Sequence, residues 1–325
     1  MIRRRAFITL LGGAAAWPLG ARAQQPALPV IGFLHNGSPE VPPSLVAGFR
    51  QGLSETGFID GRNVTIEFRW AHNDSSRLPE LAADLVRQRV NVIATPNGDQ
   101  AARAAKAATT AIPIVFNSVG DPVKNGLVAS YNRPGGNLTG VTSLLQELGA
   151  KRLGLLHELL PGATRFAVLV HDNFNEYVIA NLRAAASTLG LQIEVLPAGS
   201  NRDIDMAFAT LQQKRADAVL TANAALFGAR RLQLAMLAAR YAVPAMYHDR
   251  LFTEAGGLMS YGTSLADLYR QVGVYTGRVL KGEKPADLPV LQPAKFELVI
   301  NLQAARTIGV EVPPSLLALA DEVIE

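Results

Sequence analysis

The stretch Phe116-Asn-Ser-Val-Gly-Asp-Pro-Val-Lys-Asn-Gly126 ends an apolar run at residues 112–116 and turns polar at Asn117. It continues to Arg133-Pro-Gly-Gly-Asn137, a strong turn signal that leads into a second short apolar run. In an open α/β sheet, ligands lie at the carboxyl ends of the strands. Polar residues after the run, such as Asn117 and Asp121, are therefore predicted to face a ligand, although an ordinary polar connection gives the same pattern.

Short apolar runs alternate with helical patterns throughout the chain. Runs at residues 30–35, 64–69, 92–95 and 112–116 predict four strands, with apolar residues at helical spacing between them. This order predicts the α/β class with a parallel, doubly wound sheet. A second series repeats the first, with strands predicted at residues 166–171, 191–195, 219–223 and 243–247. Two lobes of one topology are the architecture of a periplasmic binding protein.

The chain is predicted to cross between the lobes three times. Lobe one is assigned residues 27–142 plus 257–285, and lobe two residues 143–256 plus 286–325. The two doubly wound lobes are thus joined by a three-segment hinge, and hinges of this kind let two lobes close on a ligand.

Residues 1–23 have the features of an export signal. Arg4-Arg5-Ala6-Phe7-Ile8 matches the twin-arginine pattern, and Ala21-Arg22-Ala23 matches a cleavage site after Ala23. The apolar stretch between them is about 10 residues long, whereas a bilayer-spanning helix needs about 20. The sequence therefore predicts a free periplasmic protein.

The charge of the chain gives no reason to expect a nucleic-acid partner. The formal charge is +4, but residues 1–23 carry four arginines and no acid, so 27 of the 31 basic residues remain against 27 acidic ones. Phosphate binding needs a basic face, which a neutral chain does not predict. With no cysteine, the chain has neither disulfides nor a thiol nucleophile.

Polar residues at the predicted strand ends are the candidate ligand contacts. They are His35, Asn36, Ser38, Asn97, Asp99, Asn117 and Asp121 in lobe one, and His171, Asn173, Asn223, Tyr247, Asp249 and Tyr261 in lobe two. Such groups suit a small zwitterion, because carboxylates hold an ammonium and amides or hydroxyls hold a carboxylate. Helix capping is the competing interpretation, since Ser38, Asp99 and Asn173 stand at N-cap positions.

The histidines and carboxylates predict neither a metal site nor catalysis. No histidine pair stands at i, i+4, and no glycine-rich phosphate loop or nucleophile elbow occurs. Asp121 and Asp249 could form an acid/base pair across the cleft, but hydrogen bonding explains them equally well. No cofactor is expected.

Longer motifs resemble a known family. They are Asp121-Pro-Val, Gly126-Leu-Val, Arg133-Pro-Gly-Gly-Asn137-x-Thr-Gly-Val141, Glu254-Ala-Gly-Gly-Leu-Met-Ser-Tyr-Gly262 and Gln292-Pro-x-Lys-Phe-Glu-Leu-Val-Ile-Asn301. The chain resembles the ABC transporter substrate-binding proteins whose studied members bind tryptophan or tyrosine. The resemblance implies the type I periplasmic-binding fold, a monomer, a small-molecule ligand such as an amino acid, and delivery to an ABC permease at the inner membrane.

Two ligand loops depart from the family pattern. Pro96-Asn-Gly-Asp99 stands where the family usually has Gly-Gly-Thr-Pro, and His171-Asp-Asn-Phe-Asn175 replaces an Asn-Pro-rich loop. A carboxylate at Asp99 would repel a ligand carboxylate and could hold an amine instead. The resemblance therefore predicts the class of function more firmly than the aromatic ligand.

Other function classes remain open at this point. A periplasmic sensor could present the ligand to a membrane receptor, and an enzyme could act in the cleft between the lobes. A repressor is disfavoured, because no helix-turn-helix segment precedes lobe one.

Overall fold

A computed structural model describes residues 28–145, 147–171, 176–292 and 296–325. The predicted export signal, residues 1–23, lies outside the described residues. Within the described part of the chain, no helix has both the length and the apolar composition that crossing a bilayer requires.

The first sheet has five parallel strands in the order β2-β1-β3-β4-β5. Its strands and helices are β1 (Val30–His35), α1 (Pro43–Glu55), β2 (Thr65–Trp70), α2 (Leu78–Arg87), β3 (Val92–Thr95), α3 (Asp99–Ala108), β4 (Ile114–Ser118) and β5 (Leu138–Thr142). Apolar side chains of the sheet pack against α1 on one face and against α2 and α3 on the other. The predicted doubly wound arrangement is confirmed for this sheet.

The second sheet has seven strands in the order β12-β11-β10-β9-β8-β6-β7. The next elements in the chain are α4 (Gly149–Leu159), β6 (Arg165–Val170), α5 (Glu176–Thr188), β7 (Gln192–Pro197), α6 (Asn201–Gln213), β8 (Ala218–Thr221), α7 (Ala225–Ala229), α8 (Arg231–Arg240), β9 (Ala245–Tyr247), α9 (Arg250–Glu254) and β10 (Met259–Gly262). The last are α10 (Leu265–Leu280), β11 (Glu297–Asn301), α11 (Leu302–Ile308), α12 (Pro314–Leu319) and β12 (Glu322–Ile324). All neighbouring strands are parallel except β10 and β11, which are antiparallel.

Strand β4 extends further than its apolar run predicts. Asn117 and Ser118 pair with Val141 and Thr142 of β5, so the ladder continues through both polar residues. Both are buried, and the side chain of each donates a hydrogen bond to a backbone carbonyl. These bonds let polar side chains occupy a fully buried strand end.

Two of the predicted crossing points lie too early in the sequence. Strand β10 pairs with β9 and β11 in the second sheet, so the chain leaves that sheet after Gly262 and not at residue 257. On the return, the backbone of Leu291 pairs with Val141 of β5, beyond the predicted boundary at residue 286. The side chains of Leu288 and Val290 are buried in the core of the first lobe, and this burial holds the segment there.

Helix α10 returns from the second sheet and packs against α1 through glycines. A Cβ atom on Gly52 of α1 would overlap the carbonyl oxygen of Arg270, and one on Gly48 would crowd the carbonyl of Ala266. On α10, Gly273 meets the backbone of α1 in the same way. The two helices therefore touch backbone to backbone, which only glycine permits at these positions.

We expect the change Gly52→Ala to lower the free energy of unfolding by about 1–3 kcal/mol, because the added methyl overlaps a backbone carbonyl that cannot rotate away. The matched control is Gly154→Ala in α4, where an added Cβ meets nothing within 4 Å. That control is expected to gain about 0.5–1 kcal/mol from helix propensity. Chemical denaturation of both variants measures the difference, and equal stabilities would refute the close contact.

Candidate functional site

Buried polar atoms without a hydrogen-bond partner concentrate at the carboxyl ends of the strands. In the described part of the chain they include Asn36 Oδ1, Thr95 Oγ1, Asn117 Oδ1, Tyr247 Oη and His248 Nδ1. The first three lie at the carboxyl ends of β1, β3 and β4, in the last two residues of the strand or directly after it, and the other two lie at the carboxyl end of β9. Folded proteins pair almost all such atoms, so a group left open at this edge is able to hydrogen-bond a ligand.

In the first lobe, two buried amides present their oxygens. The Asn36 side chain donates through Nδ2 to Gln100 Oε1 at 3.0 Å, and that of Asn117 donates to the Pro96 carbonyl at 3.1 Å. These bonds fix both amides and leave both Oδ1 atoms as acceptors. The pair can therefore receive N–H groups, including those of an ammonium.

His35 is held entirely by the protein. The Gly37 N–H donates to Nδ1 at 2.8 Å, so Nε2 carries the proton and donates to the Tyr269 hydroxyl at 2.7 Å. The ring is buried beside Trp70, with 4.7 Å between the ring centroids. Burial lowers the pKa of His35 to about 3, so the imidazole is neutral. Its two nitrogens are engaged, and its observed role is to hold Tyr269 in place.

Tyr269 connects α10 to the loop after β3. Burial raises the pKa of its hydroxyl, and a hydrogen bond from Asn97 opposes that rise. Asn97 and His35 thus meet at one phenol group, which links the ends of β1 and β3 to the returning helix. Two predicted site residues are brought together in this way, through a tyrosine that the strand-end pattern did not indicate.

Three predicted contacts of the first lobe hold loops. Asp121 accepts hydrogen bonds from the N–H groups of Val123, at 2.9 Å, and Lys124. The Ser38 hydroxyl donates to Glu40 at 2.6 Å. Asp99 begins α3 and accepts from the side chain of Asn125 at 2.9 Å. The N-cap interpretation is wrong for Ser38 and Asp99, because the residues that precede α1 and α3 as N-caps are Pro42 and Gly98.

The Asp99 carboxyl is a buried group whose pKa is shifted. Burial raises this pKa, and the Ser118 hydroxyl, Arg103 and the Val119 N–H oppose the rise. Its polar neighbours thus lie on β4, on α3 and in the loop that follows β4. Oδ2 is thus held by its own lobe, whereas Oδ1 is buried without a hydrogen-bond partner and is a further open acceptor at the strand ends.

In the second lobe, Tyr247 and Asp249 lie together at the end of β9. The Tyr247 ring is fully buried and stacks on Phe252 with centroids 4.7 Å apart. Asp249 caps α9 by accepting from the Leu251 N–H at 2.8 Å, and its other oxygen lies 3.1 Å from His248 Nε2. Both oxygens of Asp249 are thus engaged at the strand end.

The remaining predicted contacts have different surroundings. Asn223 follows β8 and lines a small cavity in the second lobe. His171 is half-buried directly after β6, and Tyr261 lies in β10 with its ring 6.0 Å from that of Phe296. Asn173 lies outside the described residues.

Arg152 is a buried cation in the second lobe that the sequence did not indicate. It is 3% exposed, and its Nη2 donates to the Leu145 carbonyl at 2.6 Å, while Nε and Nη1 have no acceptor. Burial lowers its pKa to about 10, and the charge of Asp249 opposes this. One feature of the sequence could have indicated its burial. Arg152 stands three residues before Leu155 and four before Leu156, on the apolar stripe of α4.

Across the described ranges, no cluster of three or more histidine, aspartate or glutamate side chains could hold a metal ion. Asp121 and Asp249, considered above as an acid/base pair, each accept hydrogen bonds from backbone N–H groups of their own loops.

The neutral state of His35 predicts a pH-dependent stability. Because its folded pKa is about 3 and its ordinary value is 6.5, the unfolded chain binds a proton that the folded chain rejects. Stability is therefore complete above pH 6.5 and falls as the pH drops toward 3, by about 2 kcal/mol between pH 7 and pH 5. We expect His35→Gln to remove this part of the pH dependence of the unfolding free energy, measured by urea denaturation at each pH. The control His72→Asn, at an exposed histidine, is expected to keep it. A slope unchanged by His35→Gln would contradict the assignment.

Comparison with known proteins identifies the family. The family model described as ABC transporter substrate binding protein matches residues 41–324. A tyrosine-binding protein of Clostridioides difficile (strain R20291) is 26% identical over 269 residues, covering 81% of this chain and 76% of that protein. An ABC domain from Streptococcus pneumoniae, solved in complex with L-Trp, has a TM-score of 0.81 and 26% identity, covering 92% of this chain and 100% of that one.

A conserved domain protein from Vibrio cholerae has the same fold, with a TM-score of 0.81 at 23% identity, covering 91% of this chain and 99% of that one. The fold is that of the type I periplasmic binding proteins. With a model match over most of its length, the chain belongs to the ABC transporter substrate-binding protein family.

Proposed function

We propose that the protein captures an amino acid, with an aromatic side chain as the first choice, between its two lobes and delivers it to an ABC importer. The observation that carries this proposal is the set of unpaired buried polar atoms at the strand ends of both sheets. The tyrosine-binding and L-Trp-bound relatives support the ligand class. The twin-arginine pattern before residue 23 supports export, and we propose a monomer that works in the periplasm and does not transform its ligand.

The proposed cleft lies where the two sheets approach each other. Lys124, in the loop after β4, lies 5.2 Å above the ring of Tyr177 at the start of α5. At the crossing, the Thr263 hydroxyl donates to the Ser143 carbonyl at 2.9 Å, so two of the connecting segments run side by side. Both contacts join loops that follow strands of the first sheet to the second lobe, next to the strand ends where the ligand is proposed to bind.

The lobes are proposed to divide the recognition of a zwitterion. Asn36 and Asn117 offer carbonyl oxygens, which accept from the ligand's ammonium. Tyr247 offers a hydroxyl and His248 a ring nitrogen from the second lobe. Buried partners of this kind give strong discrimination, because a ligand that lacks the matching group leaves them unpaired.

We expect tyrosine or tryptophan to stabilise the purified protein against heat, because a ligand that binds only the folded state adds about 2.7 kcal/mol at 100 times its Kd. Thermal denaturation with single amino acids, aromatic amines and aromatic acids measures the effect. The absence of a shift with every amino acid would refute the proposed ligand class.

We expect Asn117→Ala to weaken binding of the same ligand at least about tenfold, because a buried acceptor for its ammonium is lost. The comparison variant is Asp121→Asn, which keeps an oxygen able to cap the loop and should leave the affinity within about twofold. Isothermal titration calorimetry measures both. Unchanged affinity in Asn36→Ala and Asn117→Ala together would show that the ligand lies elsewhere.

A further inference from the structure

We propose that Asp99 supplies the negative charge that holds the ammonium group of the ligand, so that the first lobe selects for a primary amine. This inference rests on the proposed function and names the group of the ligand on which affinity depends. It commits to an ammonium as the required group, whereas the carboxylate of an amino acid is not required.

The loop between β3 and α3 brings together open oxygen atoms from three strand ends. Asn36, directly after β1, donates to Gln100 in the first turn of α3, and Asn117, near the end of β4, donates to the Pro96 carbonyl. Each bond ties an amide to residues 96–100 and leaves its Oδ1 as an acceptor. The buried oxygens without a hydrogen-bond partner at this loop are Asn36 Oδ1, Thr95 Oγ1, Asp99 Oδ1 and Asn117 Oδ1.

Asp99 is the charged member of this set. Its Oδ2 accepts from Asn125 at 2.9 Å, while Oδ1 has no hydrogen-bond partner among the described residues. The nearby Ser118 hydroxyl donates to the Gly120 carbonyl, and Arg103 acts on the carboxyl through its charge from an exposed position. A carboxylate with a buried open oxygen is costly, and a cation that donates hydrogen bonds is the partner that best compensates it.

The chemistry of the set favours an ammonium over an anion. An ammonium has three N–H donors and no acceptor, and the amide and carboxylate oxygens of the set can only accept. The N-terminus of a helix such as α3 ordinarily suits an anion. Asp99 is the first residue of α3 and already places a negative charge there, so a ligand carboxylate at this point would be repelled.

A structural role does not require a charge at this position. Asp99 does not cap α3, because the N-cap residue is Gly98. Its bond with Asn125 holds the loop after β4, but the amide oxygen of an asparagine could accept the same bond. The change Asp99→Asn therefore removes the charge and preserves both the shape of the side chain and this contact.

The first test measures three probes by isothermal titration calorimetry on the purified protein. They are tyrosine, tyramine, which lacks the carboxylate, and desaminotyrosine, which lacks the amine. We expect the wild type to bind tyrosine and tyramine at least about 30-fold more tightly than desaminotyrosine, because a ligand without the amine leaves the buried acceptors unpaired. Comparable affinity for desaminotyrosine would overturn the proposal.

The second test changes Asp99 itself. We expect Asp99→Asn to lose at least about 30-fold in affinity for tyrosine and tyramine, while its affinity for desaminotyrosine falls by less than about threefold or rises. The control Asp121→Asn changes a carboxylate that accepts from N–H groups of its own loop, and it should leave all three affinities within about twofold of wild type. An Asp99→Asn variant with an unchanged preference for the amine would overturn the proposal.

The melting temperature without ligand separates this role from a structural one. We expect Asp99→Asn to melt at or above the wild-type temperature, because an incompletely paired charge has become neutral. A lower melting temperature together with an unchanged preference for the amine would show that Asp99 is structural. If the asparagine variant fails to fold, Asp99→Glu should keep the preference for tyramine over desaminotyrosine, and Asp99→Ser should lose it.

Failure of the proposed function would look different from failure of this inference. Wild-type protein that binds none of the three probes would refute the proposed aromatic ligand itself. Wild-type protein that binds tyrosine tightly, together with an Asp99→Asn variant that binds it equally well, would refute only the assignment to Asp99.

Discussion

The backbone contact between α1 and α10 fixes the geometry on which the rest of the first lobe depends. Helix α10 belongs to the first lobe but follows most of the second lobe in the sequence. Its position is therefore set by packing and not by a short connection to a neighbouring element of the first lobe. The glycines at 48, 52 and 273 provide that packing, because side chains there would separate the two helices. Tyr269 on α10 then meets His35 from β1 and Asn97 from the loop after β3. The contact between the two helices thereby sets the position of Tyr269 and, through it, of the residues that end β1 and follow β3.

At the carboxyl ends of the strands in both sheets, stability favours polar groups that are fully paired, whereas ligand binding requires groups that are left open. An apolar core would exclude unpaired amides, hydroxyls and guanidinium groups, yet Asn36, Asn117, Tyr247 and Arg152 keep open atoms at less than 9% exposure. For the two asparagines, a hydrogen bond donated by Nδ2 limits the free-energy cost of burial, because one of the two polar groups of the side chain is paired within the protein. The proposed ligand would pair such atoms, which accounts for their presence at a cost to the stability of the free protein.

The sequence was most informative where structure is local. Strand β3 lies where its apolar run predicts, because a fully buried parallel strand leaves a continuous apolar pattern. The sequence was less informative about segments whose position depends on pairing with residues far away in the chain. Leu291 stays with the first lobe through its pairing with β5, and Asn117 stays in β4 through the same neighbour. Arg152 was missed because a cation on a helix usually faces solvent, and only tertiary packing on β8 and β9 buries it.

The unusual loop residue Asp99 bears directly on which ligand the cleft can accept. From the sequence alone, its carboxylate was expected to repel a ligand's own carboxylate and to favour an amine. In the structure its Oδ2 accepts from Asn125, and Ser118, Arg103 and the Val119 N–H oppose the burial-induced rise of its pKa. Its Oδ1 is buried without a hydrogen-bond partner, so Asp99 joins Asn36 and Asn117 as an open acceptor that suits an ammonium. The departure at residue 99 is therefore compatible with an amino-acid ligand.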